Sequence, residues 1–402
     1  MKQIKLGIIG VGNQGSSYVK HILGGKCPEI CLAAIAEIDP ARIEVAQKMY
    51  ADFKEKNADL PEVAYFTDAI EMMESGLVDS VIVAVPHYDH PKYVIEAFRH
   101  GLHAISEKPA GVYTLQVREM MEEADKHPEL VFGMMFNQRT NHVFRKMKEI
   151  MDSGELGALR RTSWIITNWY RPQFYYDSGA WRATWSGEGG GVLLNQCPHN
   201  LDLWQWICGM PKKLDVKMSF GKWHDIEVED DVSVFVEYEN GATGTFITST
   251  GDTPGTNRFE ILCEKGKLVC DDAKTLTMWK LDVSEPEFSK TNTASVFGQP
   301  KATKIEVETD GLNTQHVGVF NAFAAAVLRG EPLVADGREG INGLSLSNAM
   351  HLSCWQGREV ELPLSHEDEV AFHEELMERV KTSRRKENTV SVIADTASTY
   401  NS

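Results

Sequence analysis

The stretch LGIIGVGNQG, residues 6–15, decides the fold of the N-terminal part of the chain. Its first four residues form the apolar run of a buried strand, and a G-x-G-x-x-G pattern follows before a helical segment. Gly10 permits a tight turn, Gly12 lets a pyrophosphate approach the backbone, and Gly15 lets the helix pack close to the strand. The stretch therefore predicts a dinucleotide-binding βαβ unit.

The residues after these glycines indicate which dinucleotide is bound. Asn13 and Gln14 open the helix, where free N–H groups and the helix dipole favour a phosphate. Glu37 ends the second apolar run, with Asp39 close behind, and an acid there binds the adenosine ribose hydroxyls. A carboxylate repels a 2′-phosphate, so NAD is favoured over NADP. Arg42 is the one cation nearby, and we expect it to pair with a neighbouring acid.

The pattern of apolar residues divides the chain into two domains and a tail. Residues 1–135 alternate short apolar runs with helical spacing, which predicts a doubly wound parallel sheet, a Rossmann domain. Residues 136–363 carry longer alternating strands, which predict an α+β domain with a large, open, mostly antiparallel sheet. One of its closing helices is expected to pack back on the first domain. Residues 364–402 predict a helical extension and a polar tail.

Individual elements follow from the same patterns. The strands expected in the first domain are 6–9, 32–36, 78–85, 104–106 and 130–134, and the helices are 42–57, 93–100 and 115–126. The strands expected in the second domain are 160–170, 214–220, 232–238, 243–250, 258–262 and 304–308, and the closing helices are 315–329 and 339–356. Asn240-Gly241 between two of these strands predicts a tight hairpin with a primed turn.

Charge and cysteine content exclude several classes of function. The 402 residues carry a formal net charge of −17, which argues against binding nucleic acid or a membrane surface. The seven cysteines are odd in number and scattered, as expected for reduced thiols in a cytoplasmic protein. His87 and His90 lack further ligands at metal-binding spacing, so we expect no metal site.

Several motifs together resemble those of one enzyme family, glucose-fructose oxidoreductase / inositol dehydrogenase / rhizopine catabolism protein (Gfo/Idh/MocA). The resemblance covers about the first 363 residues. It is carried by the glycine fingerprint, by Glu37-Ile38-Asp39-Pro40, Ala84-Val85-Pro86-His87-Tyr88-Asp89-His90, Ser106-Glu107-Lys108-Pro109-Ala110 and Asp152-Ser153-Gly154-Glu155-Leu156-Gly157, and by Trp181-Arg182 followed by GGGVLLNQCPHNLD at 189–202. The E-K-P and G-G-G…H-x-x-D signals are the specific ones.

The resemblance implies an active site in the cleft between the two domains. In that family the lysine of E-K-P reaches the substrate hydroxyl, and an acid and a histidine four residues apart complete the site. These roles fall on Lys108, Asn195 and His199, with asparagine replacing the acid. The loop with Pro86, His87 and His90 is implied to line the nicotinamide end of the cofactor, together with Glu107 and Lys108.

The residue types suit alcohol oxidation. Histidine accepts a proton near neutral pH, so His199 is the expected base, and the Lys108 ammonium would stabilise the developing alkoxide. A helix expected from near Gly191 would place Asn195, His199 and Asp202 on one face. Asn195 cannot ionise and is expected to position the substrate or the imidazole. Asp202 is expected to have a structural role.

Aromatic and basic residues between 164 and 185 fit a carbohydrate, because sugar C–H faces pack on aromatic rings. About half of them must also form the sheet core. The expected substrate-binding residues are Trp169, Tyr176, Trp181, Arg182, Asn195, His199 and His316.

These observations predict an NAD-dependent dehydrogenase acting on a secondary hydroxyl of a sugar, of a glycoside, for example at C3 of a glucoside, or of a cyclitol such as inositol. A first alternative is a glycoside-cleaving enzyme that oxidises the sugar transiently with tightly held, internally recycled NAD. A second is a non-catalytic sensor of dinucleotide and sugar. The open sheet predicts a homo-oligomer, because one of its faces would otherwise be exposed.

Overall fold

In the computed structural model, which describes residues 2–384, the first third of the chain folds into a six-stranded parallel sheet. Its strands are β1 (Ile4–Ile9), β2 (Ile30–Ala36), β3 (Ala64–Phe66), β4 (Ser80–Val83), β5 (His103–Ser106) and β6 (Phe132–Met134). Their order is β3-β2-β1-β4-β5-β6, which is the doubly wound order of a Rossmann domain. The predicted fold class of this part is confirmed.

Helices connect these strands and cover the sheet. They are α1 (Asn13–Leu23), α2 (Pro40–Lys56), α3 (Ala69–Glu74), α4 (His90–Arg99), α5 (Thr114–Asp125) and α6 (His142–Ser153), of which α6 leads into the second sheet. The strand and helix predictions for this region are confirmed to within a few residues. The sequence patterns missed β3, α3 and α6; β3 and α3, with three and six residues, are too short to show a period.

Over the same described residues, the second sheet has nine strands. They are β7 (Leu159–Ile166), β8 (Lys213–Phe220), β9 (Glu229–Glu237), β10 (Thr243–Ser249), β11 (Asn257–Cys263), β12 (Gly266–Asp271), β13 (Thr275–Leu281), β14 (Ala302–Glu306) and β15 (Val360–Glu361). Their order is β14-β13-β12-β11-β7-β10-β9-β8-β15. Neighbours run antiparallel, except that β7 and β10 are parallel. The expected open, mostly antiparallel sheet is confirmed; β12, β13 and β15 were not predicted.

The predicted hairpin at Asn240-Gly241 joins β9 to β10, and the Tyr238 N–H donates to the Ala242 carbonyl at 2.8 Å. The turn type differs from the prediction. Gly241 has φ of 81°, whereas Asn240 is not among the residues with positive φ. A single left-handed glycine therefore closes a longer loop, and the primed turn expected here is not formed.

The remaining helices are α7 (Gln173–Asp177), α8 (Pro198–Cys208), α9 (Glu285–Thr291), α10 (Gln315–Arg329), α11 (Gly340–Gln356) and α12 (His366–Thr382). Helices α6, α8 and α11 pack on one face of the second sheet. The other face leaves large apolar side chains partly exposed, among them Ile165, Phe235, Leu262 and Trp279.

No helix within the described range 2–384 is long and apolar enough to cross a bilayer. The predicted C-terminal helix is α12, and the polar tail from residue 385 lies outside the described residues.

Helix α10 follows strands β7 to β14 of the second sheet in the chain but packs against the first sheet. Its residues Val319, Phe320 and Phe323 share an apolar core with Ile4 and Leu6 of β1. Each of these side chains is at most 3% exposed, so the contact is a true core. Helix α10 is thereby packed against the strand that leads into the glycine-rich turn.

The helix that carries His199 starts later than predicted. It was expected from near Gly191, but α8 begins at Pro198. Proline has no N–H to donate to the preceding turn, and it is well suited to the first position of a helix. Asn195 therefore lies in the turn before α8, with its N–H donating to the Gly191 carbonyl at 2.9 Å. The expectation that Asn195, His199 and Asp202 share one helical face is wrong.

Asp202 anchors α8 through a buried ion pair with Arg139. Arg139 Nη2 lies 2.6 Å from Asp202 Oδ1, and Arg139 Nε lies 2.8 Å from Oδ2. A third contact joins Arg139 Nη1 to Glu339 Oε2 at 2.8 Å. The side chains of Arg139 and Asp202 are 2% and 1% exposed, so neither charge is stabilised by water.

We expect Asp202→Ala to lower the free energy of unfolding by about 3–5 kcal/mol, because it removes the bidentate partner of the buried Arg139 guanidinium and leaves only the contact of Nη1 with Glu339. Urea unfolding followed by circular dichroism measures the change. Asp310→Ala is the control, since Asp310 pairs with Arg145 while its side chain is 47% exposed. We expect a much smaller loss for that variant, because water screens an exposed ion pair. Equal losses in the two variants would contradict this assignment.

Candidate active site

The glycine turn between β1 and α1 has the shape that a dinucleotide requires. Gly10 has φ of 90°, and a Cβ there would lie 2.6 Å from the Ala84 carbonyl oxygen. A Cβ on Gly15 would lie 2.0 Å from the Gly10 carbonyl oxygen, so α1 approaches the turn as closely as only glycine allows. Gly12 is the N-cap of α1, and Asn13 and Gln14 form its first turn. This backbone cradle fits the pyrophosphate of NAD.

Glu37 lies beside this turn, as the sequence predicts. Its Oε2 accepts a hydrogen bond from the Val11 N–H at 2.8 Å, and its Oε1 accepts one from the Asp39 N–H at 3.1 Å. The side chain is buried, so its carboxylate is held at the end of β2 beside the turn. That is the position from which an acid reads the adenosine ribose.

Asp39 and Arg42 interact with each other near this acid. Asp39 caps α2 by accepting from the Ala41 N–H at 3.0 Å, and its Oδ2 lies 3.6 Å from Arg42 Nε. The predicted pairing of Arg42 with a neighbouring acid is therefore present. Arg42 Nη1 also lies 3.0 Å from the position of a Cβ on Gly12, so this cation reaches over the glycine turn.

The loop that starts at Pro86 joins the first domain to the second. His87 Nδ1 lies 3.1 Å from the Glu188 carbonyl oxygen, and the Tyr88 hydroxyl donates to the Trp185 carbonyl at 2.7 Å. His90 is buried, with Nδ1 and Nε2 each 2.7 Å from a backbone carbonyl oxygen, of Pro109 and Val85 respectively. Both ring nitrogens of His90 thus lie against backbone carbonyls of the protein, and its predicted contact with the cofactor stays a prediction.

Lys108 reaches across the cleft to the turn before α8. Its Nζ donates to the Asn195 carbonyl at 3.0 Å, and its peptide bond to Pro109 is cis. Burial lowers the pKa of Lys108, and Arg182 and Arg171 lower it further, whereas Glu107 and Glu188 raise it. The ammonium thus lies in a desolvated site among charges of both signs.

Glu107 lies directly before this lysine and is itself buried. Its Oε2 accepts from the Lys108 N–H at 3.0 Å, and burial raises the pKa of Glu107 to about 7. Its Oε1 is buried and finds no hydrogen-bonding partner within residues 2–384. A buried oxygen of this kind, in the same domain as the glycine turn, is suited to accept a hydrogen bond from a polar group of a bound cofactor.

His199 lies on the first turn of α8 and is 2% exposed. Burial lowers its pKa well below the ordinary value, and the charges of Lys108 and His316 lower it further. The charge of Lys108 thus acts on His199, and their work as an acid/base pair stays a prediction. A neutral imidazole is the form that can accept a proton from a hydroxyl.

His316 links this site to the cofactor turn. Its Nε2 lies 3.2 Å from Gln14 Nε2 on α1, and its ring centroid lies 5.6 Å from that of Tyr18. Burial lowers the pKa of His316 to about 3, with smaller contributions from His21 and Lys108. His316 is therefore a neutral imidazole between the glycine turn and Lys108.

Asn195 is joined to a carboxylate that the sequence reasoning missed. Its Nδ2 donates to Glu188 Oε1, and Glu188 Oε2 accepts from the Ala183 N–H at 2.6 Å. Glu188 is 2% exposed. The only sequence signal was its place directly before the three glycines at 189–191. Glu188 and Asn195 lie seven residues apart in a segment that forms turns before α8 and no helix, so helical periodicity could not reveal the contact.

A wall of aromatic and basic side chains lies beside Asn195. The Tyr175 hydroxyl accepts from Arg182 Nη1 at 2.8 Å and from Gln196 Nε2 at 3.3 Å. The guanidinium of Arg182 lies 4.5 Å from the Tyr175 ring and 4.7 Å from the Trp181 ring. Trp181 in turn meets the His87 ring edge-on at 5.7 Å. This wall unites Trp181 and Arg182, two of the expected substrate-binding residues, with Tyr175 of the aromatic segment and with Gln196, which the sequence analysis did not single out.

Two other predicted substrate-binding residues have partners within the protein. The Tyr176 hydroxyl donates to Thr250 Oγ1 at 2.8 Å, and the side chain is 3% exposed. In the short helix α7, Tyr175 therefore contacts Arg182 while Tyr176 contacts Thr250, and substrate binding by Tyr176 stays a prediction. Trp169 Nε1 donates to Asn200 Oδ1 at 3.2 Å, next to His199, so it lies at the edge of the site.

A metal site was not expected. Among the residues that the structure describes, no group of three or more His, Cys, Asp or Glu side chains is arranged to hold a metal ion.

Comparisons with known proteins bear on both domains. Residues 4–134 match the family model of an oxidoreductase family with an NAD-binding Rossmann fold, and residues 144–269 match the GFO/IDH/MocA C-terminal domain. The chain is 24% identical over 370 residues to the myo-inositol 2-dehydrogenase of Thermotoga maritima, covering 89% of this chain and 98% of that protein. It is also 24% identical over 210 residues to the rhizopine catabolism protein MocA of Rhizobium meliloti, covering 52% and 58% of the two chains.

Solved structures share the fold. The WlbA dehydrogenase of Chromobacterium violaceum, solved with NADH and UDP-GlcNAcA, has a TM-score of 0.74 at 26% identity, covering 91% of this chain and 98% of that one. A levoglucosan dehydrogenase solved with NADH and L-sorbose has a TM-score of 0.73 at 17% identity, covering 91% and 100%. The cofactor of the Rossmann domain is NAD.

We expect Glu37→Gln to weaken NAD binding about tenfold or more, because it removes a charge that accepts hydrogen bonds beside the ribose site. Binding of NADP should weaken less or improve, since the repulsion of its 2′-phosphate is lost and Arg42 remains. Titration calorimetry with each dinucleotide measures both affinities. Glu44→Gln, on the exposed side of α2, is the control. Equal weakening for NAD and NADP would contradict the proposed role of Glu37.

Proposed function

Because the chain belongs to the GFO/IDH/MocA oxidoreductase family, we propose that it transfers a hydride between NAD and a secondary hydroxyl of a sugar, glycoside or cyclitol. The observation that carries this proposal is the contact of Lys108 Nζ with the carbonyl of Asn195, four residues before His199 in the chain; the effect of the Lys108 charge on buried His199 supports it. The names of similar proteins, a myo-inositol dehydrogenase and a dehydrogenase solved with a nucleotide sugar, support the substrate class.

The chain's own residues divide the work of alcohol oxidation. Bound NAD supplies the ring that accepts the hydride from the carbinol carbon. Neutral His199 accepts the proton of the substrate hydroxyl, and the Lys108 ammonium stabilises the negative charge that develops on the same oxygen. Burial of both groups strengthens this interaction, because water does not screen it. Asn195 offers its side-chain oxygen to a neighbouring hydroxyl.

The wall formed by Tyr175, Trp181 and Arg182 suits a hydroxylated ring. Aromatic faces pack on sugar C–H groups, and the guanidinium donates to hydroxyl oxygens. Arg182 has already formed a hydrogen bond to Tyr175, so its remaining N–H groups are held in a fixed orientation. The substrate is in this proposal a small carbohydrate or cyclitol, bound between the wall and Lys108.

We further propose that the protein is a cytoplasmic homo-oligomer. All seven cysteines lie in the described part and are free thiols, in keeping with a reducing compartment. The outer face of the second sheet exposes 51% of Phe235 and 36% of Trp279, which a second copy of the chain would cover.

The decisive experiment incubates the protein with NAD and a panel of sugars, glycosides and cyclitols while NADH absorbance is followed. We expect NADH in proportion to substrate oxidised, and Lys108→Met and His199→Asn each to lower kcat/KM by about 10²–10⁴. The matched controls, Lys92→Met and His366→Asn on exposed positions, should retain activity. Release of an aglycone without NADH would favour the glycoside-cleaving alternative, and binding without turnover would favour the sensor.

The pH dependence offers a separate check. His199 must be neutral to act as base, and its pKa is lowered, so kcat/KM should stay high as the pH falls through the ordinary histidine value of about 6.5. The acidic limb should therefore lie below that value. A profile of kcat/KM from about pH 5 to 10 measures it. An acidic limb above the ordinary histidine pKa would contradict the assignment of His199.

A further inference from the structure

We propose that Glu188 is a positioning residue of this site: its carboxylate orients the Asn195 amide, so that Asn195 presents its oxygen to the substrate, and it supplies a negative charge facing Lys108. The inference rests on the proposed function for its consequences in catalysis, whereas the contact itself is independent of it. Three features of the structure carry it: the burial of Glu188, the partners of its oxygens, and its place between the two domains.

Both carboxylate oxygens of Glu188 accept hydrogen bonds. Oε1 accepts from Asn195 Nδ2, and Oε2 accepts from the Ala183 N–H at 2.6 Å. Because each partner is a donor, the ionised form of the carboxylate satisfies both of them, and a protonated form would satisfy only one equally well. Ala183 has φ of 52°, an unusual conformation for a residue with a Cβ, and the hydrogen bond holds it there.

The bond to Glu188 fixes the orientation of the Asn195 amide. An ionised carboxylate accepts but cannot donate, so Asn195 must turn its NH₂ group toward Glu188. The amide oxygen then points the other way. It can accept a hydrogen bond from a hydroxyl but offers no donor, which selects the hydroxyl orientation that a dehydrogenase substrate needs. Without Glu188, either end of the amide could face the substrate.

The same residue connects the two domains at the site. The Glu188 carbonyl oxygen lies 3.1 Å from His87 Nδ1, on the loop after β4. The backbone of Asn195 accepts from Lys108 Nζ. Glu188 therefore contacts two loops of the first domain: the loop with His87 directly, and the loop with Lys108 through Asn195.

Several charged groups face Glu188 and Lys108, and each affects how the pair titrates. Burial and the charge of Glu229 raise the pKa of Glu188, whereas Arg182 and the two hydrogen bonds of Glu188 lower it. The charged groups that act on Lys108 are Glu107, Glu188, Arg182 and Arg171, and Lys108 in turn acts on His87, His199 and His316. Removal of the Glu188 charge leaves Glu107 to oppose the two arginines.

A charge exchange tests the proposal, using Glu188→Gln, Asn195→Asp and the double variant. Glu188→Gln removes the charge and frees the amide, so kcat/KM should fall about 10–100-fold, with NAD affinity unchanged. The alkaline limb of the pH profile should move to lower pH, because the Lys108 ammonium loses a carboxylate. In the double variant the carboxylate returns at position 195, with an amide at 188, and most of kcat/KM and the original alkaline limb should return.

Thermal unfolding of the NAD-bound protein gives a readout that needs no turnover. Asn195→Asp alone places two carboxylates in contact, so its melting temperature should fall more at about pH 8 than at about pH 5.5. Adding Glu188→Gln should restore it. The matched control is Glu369→Gln, which removes another carboxylate that is 2% exposed and is paired with Arg118 far from this turn. That variant should lose stability without moving the pH profile.

The proposal is overturned if Glu188→Gln retains the wild-type kcat and pH profile, or if the double variant is no more stable than Asn195→Asp. It is also overturned if Glu369→Gln moves the alkaline limb as far as Glu188→Gln does. If the wild-type protein reduces no NAD with any substrate of the panel, the proposed function fails. The melting temperatures of the four proteins still decide whether Glu188 and Asn195 interact as proposed.

Discussion

The site depends on one hydrogen bond between the domains, from Lys108 Nζ to the carbonyl of Asn195 at 3.0 Å. Lys108 stands at the carboxyl end of β5, the edge of a parallel sheet where ligands bind. Asn195 belongs to a turn that Pro198 keeps out of α8. Had the helix continued back to Gly191, that carbonyl would be committed to a helical hydrogen bond. The break before the proline leaves it available to orient the lysine.

Electrostatics at this junction contrasts with the rest of the molecule. The chain carries a formal charge of −17, yet Lys108, Arg171 and Arg182 cluster around the turn at 183–195. Each stays close to an aromatic ring or a buried carboxylate, which compensates for the loss of water. Burial keeps both His199 and His316 neutral, so the lysine is the cation nearest the reacting hydroxyl in our proposal. The site thus separates a neutral proton acceptor from a fixed positive charge.

Much of the fold could be predicted from sequence, because a glycine fingerprint after an apolar strand and alternating strands later in the chain are local patterns. Long helices such as α10 follow directly from their spacing. The periodicity of apolar residues could not reveal short elements such as β3, nor the residue at which α8 begins. At the site, Lys108 and His199 stood out through motifs. The contact of Asn195 with Glu188, and the contact of Tyr175 rather than Tyr176 with Arg182, depend on how α7 and the turn at 183–195 pack. That is tertiary information, which no local pattern contains.

The packing of α10 on β1 has a consequence for how the polypeptide is made. The face of the first sheet that holds Ile4 and Leu6 is covered in part by α10 up to Phe323, which leaves the ribosome only after eight of the nine strands of the second sheet, β7 to β14, have been synthesised. In a nascent chain that ends before α10, this face packs against α1 but lacks its contacts with Val319, Phe320 and Phe323. The early strands therefore reach their final burial only near the end of translation, and the two domains are not independent units of biosynthesis.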